Sequence, residues 1–345
     1  LSGALRFLKS SWADPMALPT YSVISPVRDE ADYLSVTAAS MVAQAHRPLR
    51  WVIVDDGSTD NTRSIAEEWA SEHPWIKVVA GEKQHSRARG APIVAAFKRG
   101  LRELELRPAI VVKLDGDLFL PSHYFAWVAS VFAHDPRAGV VGGTVWMPEN
   151  GRWRLDYGKT SHNVHGVAKA YRYDCLDEIG GLQESMGWDG IDEYAARARD
   201  WHVHALGELS ILHYKPRGSK QRPLQARWEE GRGNAFMGYR WQFMLLRAAY
   251  RGMVERPRVL SGLALLAAYA DARLRRLPRV PDRAAIAELR REQGERIRAL
   301  LRWRHDVEPA AALPGGGPAY WFRDETATPR PAGRSAADGA SDTAR

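Results

Sequence analysis

Trp51-Val52-Ile53-Val54-Asp55-Asp56-Gly57-Ser58-Thr59-Asp60 is the stretch whose reading decides the fold. Four apolar residues in a row, with no polar alternation, predict a strand buried on both faces. The run stops at two carboxylates and a Gly-Ser turn, and Asp60 stands as the N-cap of a helix read over 60–71. Two uses of Asp55 to Asp60 stay open. They make a turn and a helix cap, or a carboxylate among them accepts hydrogen bonds from a nucleobase imide or a ribose.

Working outward, the same grammar repeats. Strands are read over 21–25, 51–54, 76–80, 109–114 and 139–147, and helices over 29–44, 60–71, 87–104 and 121–133. Strand and helix in alternation, with fully apolar strands, predict a parallel sheet covered by helices. After about residue 150 the alternation weakens, to strands at 163–172, 203–206 and 210–213 and a short helix at 192–199. Residues 224–304 read as helical, broken at Pro257, Pro278 and Pro281.

In an open α/β sheet the ligand edge is the carboxyl end of the strands. Three polar clusters fall there: Pro26-Val27-Arg28-Asp29-Glu30, Asp55 to Asp60, and Asp115-Gly116-Asp117. Two carboxylates one residue apart at the end of a buried strand repel each other unless a cation is present. Mg²⁺ or Mn²⁺ would relieve that and could bridge to phosphates, and Gly116 lets a ligand approach the backbone. A plain polar turn is the other reading of the same three residues.

The order Tyr21 to Glu30, then Val52 to Asp60, then Leu114-Asp115-Gly116-Asp117 resembles the family 2 glycosyltransferases of GT-A fold. The likeness covers roughly residues 20–215. It implies an α/β fold, a GT-A (Rossmann-like) mostly parallel sheet flanked by helices, followed by a C-terminal helical region. It also implies an inverting enzyme that uses a nucleotide-diphosphate-sugar donor and Mg²⁺ or Mn²⁺. On that resemblance Pro26, Val27, Arg28, Glu30 and Asp56 hold the nucleoside, with Asp29 where an Asn is more typical. Asp115 and Gly116 face the ribose, and Asp117 takes the metal. Arg87, and next Arg89, contact the phosphates or base.

The later chain fits as well. Cys175 to Leu182 resembles the segment leading into the acceptor site, with Gly180-Gly181 as a tight turn and Cys175 as a packed thiol. Trp188 to Glu193 stands where the family carries a Glu-Asp pair that includes the base. Here the pair reads Asp-Glu, so Asp192 is the expected base and Glu193 the alternative. Helix capping by these carboxylates is compatible with either. Trp188 is read as a wall for a sugar ring or as core. His213 is placed near the metal, and Lys215, Arg217 and Lys220 near the diphosphate.

Composition bounds the partners. The 345 residues carry 49 Lys plus Arg against 41 Asp plus Glu, and 45% are hydrophobic, which excludes disorder throughout. A single cysteine excludes an internal disulfide or an all-cysteine metal site. Residues 215–304 hold 22 basic and 8 acidic side chains, against 27 and 33 elsewhere. They lack any nucleic-acid-binding signature. The apolar run 259–270 is too short to span a bilayer, and its arginine flanks suit either a buried helix or an interfacial one on anionic lipid. The expected partners are therefore the donor, a saccharide or lipid-linked acceptor and a peripheral anionic membrane, with no nucleic acid. The expected place is the cytoplasm, at the inner face of a bacterial membrane, in cell-surface glycan or glycolipid synthesis.

The expected organisation is an extension at 1–19 with Met16 as the start, a GT-A domain at 20–220, a basic helical region at 221–308 and a disordered tail at 309–345. Two other functions compete with this reading. One is a phosphohydrolase of the haloacid dehalogenase type, whose Asp-x-Asp normally opens the fold and is followed by Thr or Val, whereas here it follows the fourth strand and precedes Leu118. The other is a non-enzymatic anion-binding protein.

Overall fold

The computed structural model describes residues 17–81, 90–149, 151–156, 163–185, 187–215 and 223–302. Arg87, Arg89, Arg217, Lys220, Met16 and the 309–345 tail lie outside them.

The expected α/β architecture is present. Strands β1 (Tyr21–Val27), β2 (Trp51–Asp55), β3 (Ile76–Ala80) and β4 (Ile110–Leu114) form a parallel set in the order β3-β2-β1-β4. Helices α1 (Leu34–Val42), α2 (Thr62–Glu72) and α3 (Ala91–Leu101) connect them. Two clusters of buried apolar side chains hold this sheet, one containing Val23, Ile53, Val112 and Leu34, the other Ile24, Val52, Val111 and Phe97. Adjacent strand residues thus go to opposite clusters, which is why the strand sequences are apolar throughout.

Beyond β4 the sheet is mixed. β5 (Leu118–Phe119) and α4 (Tyr124–His134) lead into the long β6 (Ala138–Glu149), which turns back through β7 (Arg152–Leu155). β8 (Ala168–Arg172) then inserts antiparallel between β4 and β6. Helices α5 (Tyr173–Glu178) and α6 (Trp188–Arg197) precede β9 (His202–His213), which pairs parallel with β6 and antiparallel with β5. The sequence reads two strands where β9 is one. Gly207, Glu208 and Leu209 are absorbed where the register jumps from Gly143 opposite Leu206 to Thr144 opposite Ser210, as a bulge does.

The chain ends in α7 (Pro223–Phe236), α8 (Trp241–Val254), α9 (Leu260–Leu274) and α10 (Arg283–Arg302). The first three share a small core of Ala235, Met244, Ala248, Leu265, Tyr269 and Ala272. α10 instead joins the main body: Ala285 and Leu289 pack in the cluster that holds Ile191 and Tyr194 of α6, and Arg199 pairs with Asp282 at 2.8 Å.

Candidate active site

Because β1, β2 and β4 run parallel, Val27, Asp55 and Asp115 finish on one edge. Register places Pro26 opposite Val54 and Val27 opposite Asp55. The helix read from residue 29 begins only at Leu34, because the preceding backbone N–H groups are given to the neighbouring loop. Asp29 donates to Ser58 Oγ (3.1 Å), Glu30 to Thr62 Oγ1 (2.7 Å) and Ala31 to Asp60 Oδ2 (3.1 Å). In return Asp29 Oδ1 accepts from the Thr59 N–H at 2.8 Å. Asp29 holds φ +54°, a conformation that Asp and Asn tolerate better than most residues. Asp60, expected as the N-cap, stands one residue earlier: the N-cap of α2 is Asn61, while Asp60 Oδ1 accepts from the Thr62 N–H and its Oδ2 ties the first loop.

The two loops meet the third at Gly116. A Cβ there would lie 2.9 Å from Val27 Cγ1 and 3.3 Å from Glu30 Cγ. Thr37 Oγ1 lies 2.9 Å from the carbonyl oxygens of Gly116 and Leu118 and accepts from the Leu118 N–H, pinning the turn from below. Arg28 is exposed at the mouth. Partial burial pushes the Asp56 carboxyl up, Arg28 opposes that shift, and Asp55 adds to it.

Asp115, Asp117 and His213 come together although His213 is far along the chain. β5 does this by pairing Leu118 with His213. The His213 Nε2 to Asp117 Oδ2 distance is 3.1 Å, and both side chains are buried. One ligand atom from each of the three residues lies within 4.8 Å of the others. Asp115 is balanced by the buried Lys113, which also donates to the Gly166 carbonyl at 2.8 Å. Burial pushes Asp115 up, and Lys113 opposes this. Glu30 is pushed up to about 7, first by burial and then by Asp117, against the pull of Lys215. Lys215 reaches it at 2.5 Å and also donates to the Asp29 carbonyl at 2.8 Å. Two carboxylates and an imidazole suit a Mn²⁺ or Mg²⁺ ion. Glu30 is raised chiefly by burial, and the Asp117 carboxylate adds to that shift, so the site is anionic as well as buried.

The second carboxylate pair is placed differently from expectation. Asp192 is 3% exposed and Glu193 1%. Lys169, fully buried on β8, lies 2.8 Å from each carboxylate. Asp192 also accepts from Tyr171 Oη (2.6 Å) and the Glu193 N–H (2.8 Å), and Glu193 accepts from the Val164 N–H (3.0 Å). Burial would push Lys169 down, but Asp192, then Glu193 and Asp189, outweigh it and hold the ammonium above its usual range. This is a buried ion cluster under α6, joined by Arg197 at 3.5 Å from Glu193 Oε2, and both carboxylates are engaged within the protein.

Asp189, one turn earlier, is partly exposed. A Cβ at Gly166 would lie 2.9 Å from Asp189 Cβ and 3.2 Å from its Oδ2, and the Gly166 carbonyl accepts from the Lys113 that pairs with Asp115. Asp189 thus stands on the Asp115 side of α6. Asp189 lies within the Trp188 to Glu193 stretch, where the sequence pattern gives it no role of its own. Its position at the helix start, where a carboxylate is favoured, was the available signal. Trp188 is core, with Lys113 Nζ 5.3 Å from its ring centroid. Cys175 is buried in α5 with its thiol pushed up to about 12 by burial, which suits packing and not nucleophilic attack.

Comparison with known proteins finds glycosyltransferases. The glycosyl transferase family 2 model matches residues 22–179. An uncharacterised glycosyltransferase of Nostoc sp. is 32% identical over 121 residues, 35% of either chain. Glycosyltransferase AglE of Haloferax volcanii is 26% identical over 200 residues, 53% of this chain and 62% of that protein. The chain therefore spans about a third and about three fifths of these relatives. Among solved structures, GalNAc-T7 with UDP, GalNAc and Mn²⁺ has a TM-score of 0.52 at 12% identity, over 85% of this chain and 59% of that one, a likeness of fold.

Proposed function

We propose that this chain, which carries a glycosyl transferase family 2 domain over residues 22–179, transfers a sugar from a nucleotide-diphosphate-sugar to a hydroxyl acceptor. The observation that carries the reading is the convergence of Asp115, Asp117 and His213 beside a Glu30 pushed up to about 7. An anionic cradle of that kind has a use if a cation and a diphosphate share it.

The loops divide the donor. Pro26, Val27, Arg28 and Asp56 border the nucleoside, with the Asp56 N–H already tied to the Val27 carbonyl at 2.9 Å. Asp115, steadied by Lys113, takes the ribose. Asp117 and His213 would hold Mn²⁺ or Mg²⁺, which would neutralise charge on the departing diphosphate. Asp189 accepts the acceptor's hydroxyl proton as its oxygen bonds to the anomeric carbon and the bond to the phosphate oxygen breaks. One displacement of this kind inverts the anomeric centre. The Lys169–Asp192–Glu193 cluster positions the start of α6 and takes no proton. The acceptor is a saccharide or lipid-linked hydroxyl, in cell-surface glycan or glycolipid assembly.

A donor screen tests this. Purified protein is incubated with common nucleotide sugars and Mn²⁺ or Mg²⁺, and nucleoside diphosphate release is read. At least one nucleotide sugar is expected to turn over in wild type and to be spared by Asp117→Asn. Equal release by both proteins would contradict the reading.

A further inference from the structure

α8 is built inside out. Its two arginines turn inward, where Arg247 and Arg251 reach Glu230 of α7 at 2.6 and 3.5 Å. Its outward residues are Trp241, Leu245, Leu246, Tyr250, Met253 and Val254, with Gln242 and Ala249 between them. Trp241 is 60% exposed and Met253 67%. A helix face meeting water normally carries charge, and this one carries none.

The apolar surface continues onto α9. That helix packs tightly back on α8: a Cβ at Gly262 would lie 2.2 Å from the Ala248 carbonyl. Leu260, Leu263, Ala267, Ala270 and Leu274 all point outward, Leu274 being 84% exposed. The other side of α9, with Leu265, Tyr269 and Ala272, is buried. Exposed apolar patches of this extent mark interaction sites.

Charge at the margins selects the occupant. The α8–α9 connection presents Arg256 and Arg258, both exposed and neither paired with an acidic side chain among the described residues. Beside Trp241, at the opposite end of α8, a cleft is lined by Arg240, Arg290, Arg291 and Arg298; Arg291 is paired with Glu288 and Glu295, and the other three have no acidic partner among the described residues. The chain after Leu274 adds exposed Arg276 and Arg279. An apolar face flanked at both ends by arginines matches the acyl boundary and the phosphates of one lipid leaflet. No described helix is long and apolar enough to cross a bilayer, so the hairpin would lie in the interface.

We propose that the outward face of the α8–α9 hairpin docks this protein on an anionic phospholipid bilayer, with Arg256 and Arg258 on the headgroups. This deepens the glycosyl-transfer reading by fixing where an acceptor is met, and it is testable without it. The full chain is floated with vesicles of phosphatidylcholine containing about a third phosphatidylglycerol, and with phosphatidylcholine alone. Flotation is expected only with the anionic vesicles and should weaken as salt rises. Arg256→Gln with Arg258→Gln should lower partition about twenty-five-fold, at about a factor of five per arginine, and Leu245→Glu with Met253→Glu should abolish it. Both variants should keep the thermal midpoint and the nucleotide-sugar affinity of wild type, because these positions are exposed and outside the donor site. Failure to float would overturn the proposal, as would flotation unaffected by either double substitution. A concentration-dependent dimer lost in Leu245→Glu with Met253→Glu would also overturn it, showing that a second copy covers the face. Donor affinity in the same preparations reports separately on the glycosyl-transfer reading.

Discussion

Glu30 has a proton affinity set first by burial and then by its neighbours, and that makes it measurable. Its folded pKa of about 7 exceeds the ordinary 4.5. The folded state therefore holds this proton more tightly than the unfolded chain does. In metal-free protein the contribution of Glu30 to stability is best below about pH 4.5 and declines as pH rises through about 7. Glu30→Gln removes the decline, so the difference in thermal midpoint between variant and wild type should grow from pH 5 to pH 8. A constant difference would refute the assignment. Asp135 shows the opposite sign. Its carboxylate accepts from His202 (2.8 Å) and His204 (2.7 Å) at the start of β9 and is held at about 2, with burial opposing these hydrogen bonds. Its stabilisation is present above about pH 4 and is lost as pH falls through about 2. A second contrast separates the α6 carboxylates. Asp192→Asn leaves Lys169 underpaired in the core and should cost about 3–5 kcal/mol, read by chemical denaturation. Asp189→Asn should leave stability and donor affinity close to wild type while lowering kcat by 10²-fold or more, the scale of a general base. If Asp192→Asn is stable and inactive while Asp189→Asn is active, the roles are reversed.

At the scale of elements, the sequence was legible where burial alone decides. β1, β2, β3 and β4 were readable because both faces are covered and their residues are apolar throughout. β8 was not placeable as an antiparallel insert, since its place between β4 and β6 is set by chain topology and not by residue type. β5 has only two residues, too few for any periodicity, yet it brings His213 to Asp117. The late start of α1 was equally hidden, because it depends on hydrogen bonds to Ser58, Thr62 and Asp60 from a separate loop. The Asp115-Gly116-Asp117 motif was legible as chemistry, whereas the burial of Asp192 depends on a lysine from β8. Gly116 tests how tightly the three loops are fitted. Gly116→Ala places a Cβ 2.9 Å from Val27 Cγ1 and should raise the donor KM by about tenfold or more, with far-ultraviolet circular dichroism unchanged. An unchanged KM would show that the loops yield freely.

At the scale of the whole molecule, the basic excess seen in the C-terminal sequence resolves into two uses. Some arginines are structural, such as Arg247 and Arg251 on Glu230 and Arg199 on Asp282. Others, such as Arg256 and Arg258, lie exposed beside an apolar face. The helical region is not a detached module, because α10 packs on α6 within the main core. Calorimetry should accordingly give one cooperative transition for the chain, and two separated transitions would contradict that packing. The central claim is that the strand ends of one sheet form a cation-assisted site for a nucleotide sugar. Its most direct measurement is a calorimetric titration of a nucleotide sugar that the donor screen identifies, with and without Mn²⁺, into wild type and Asp117→Asn. The account predicts tight binding only in wild type with Mn²⁺ present. Equal affinity in all four titrations would contradict it.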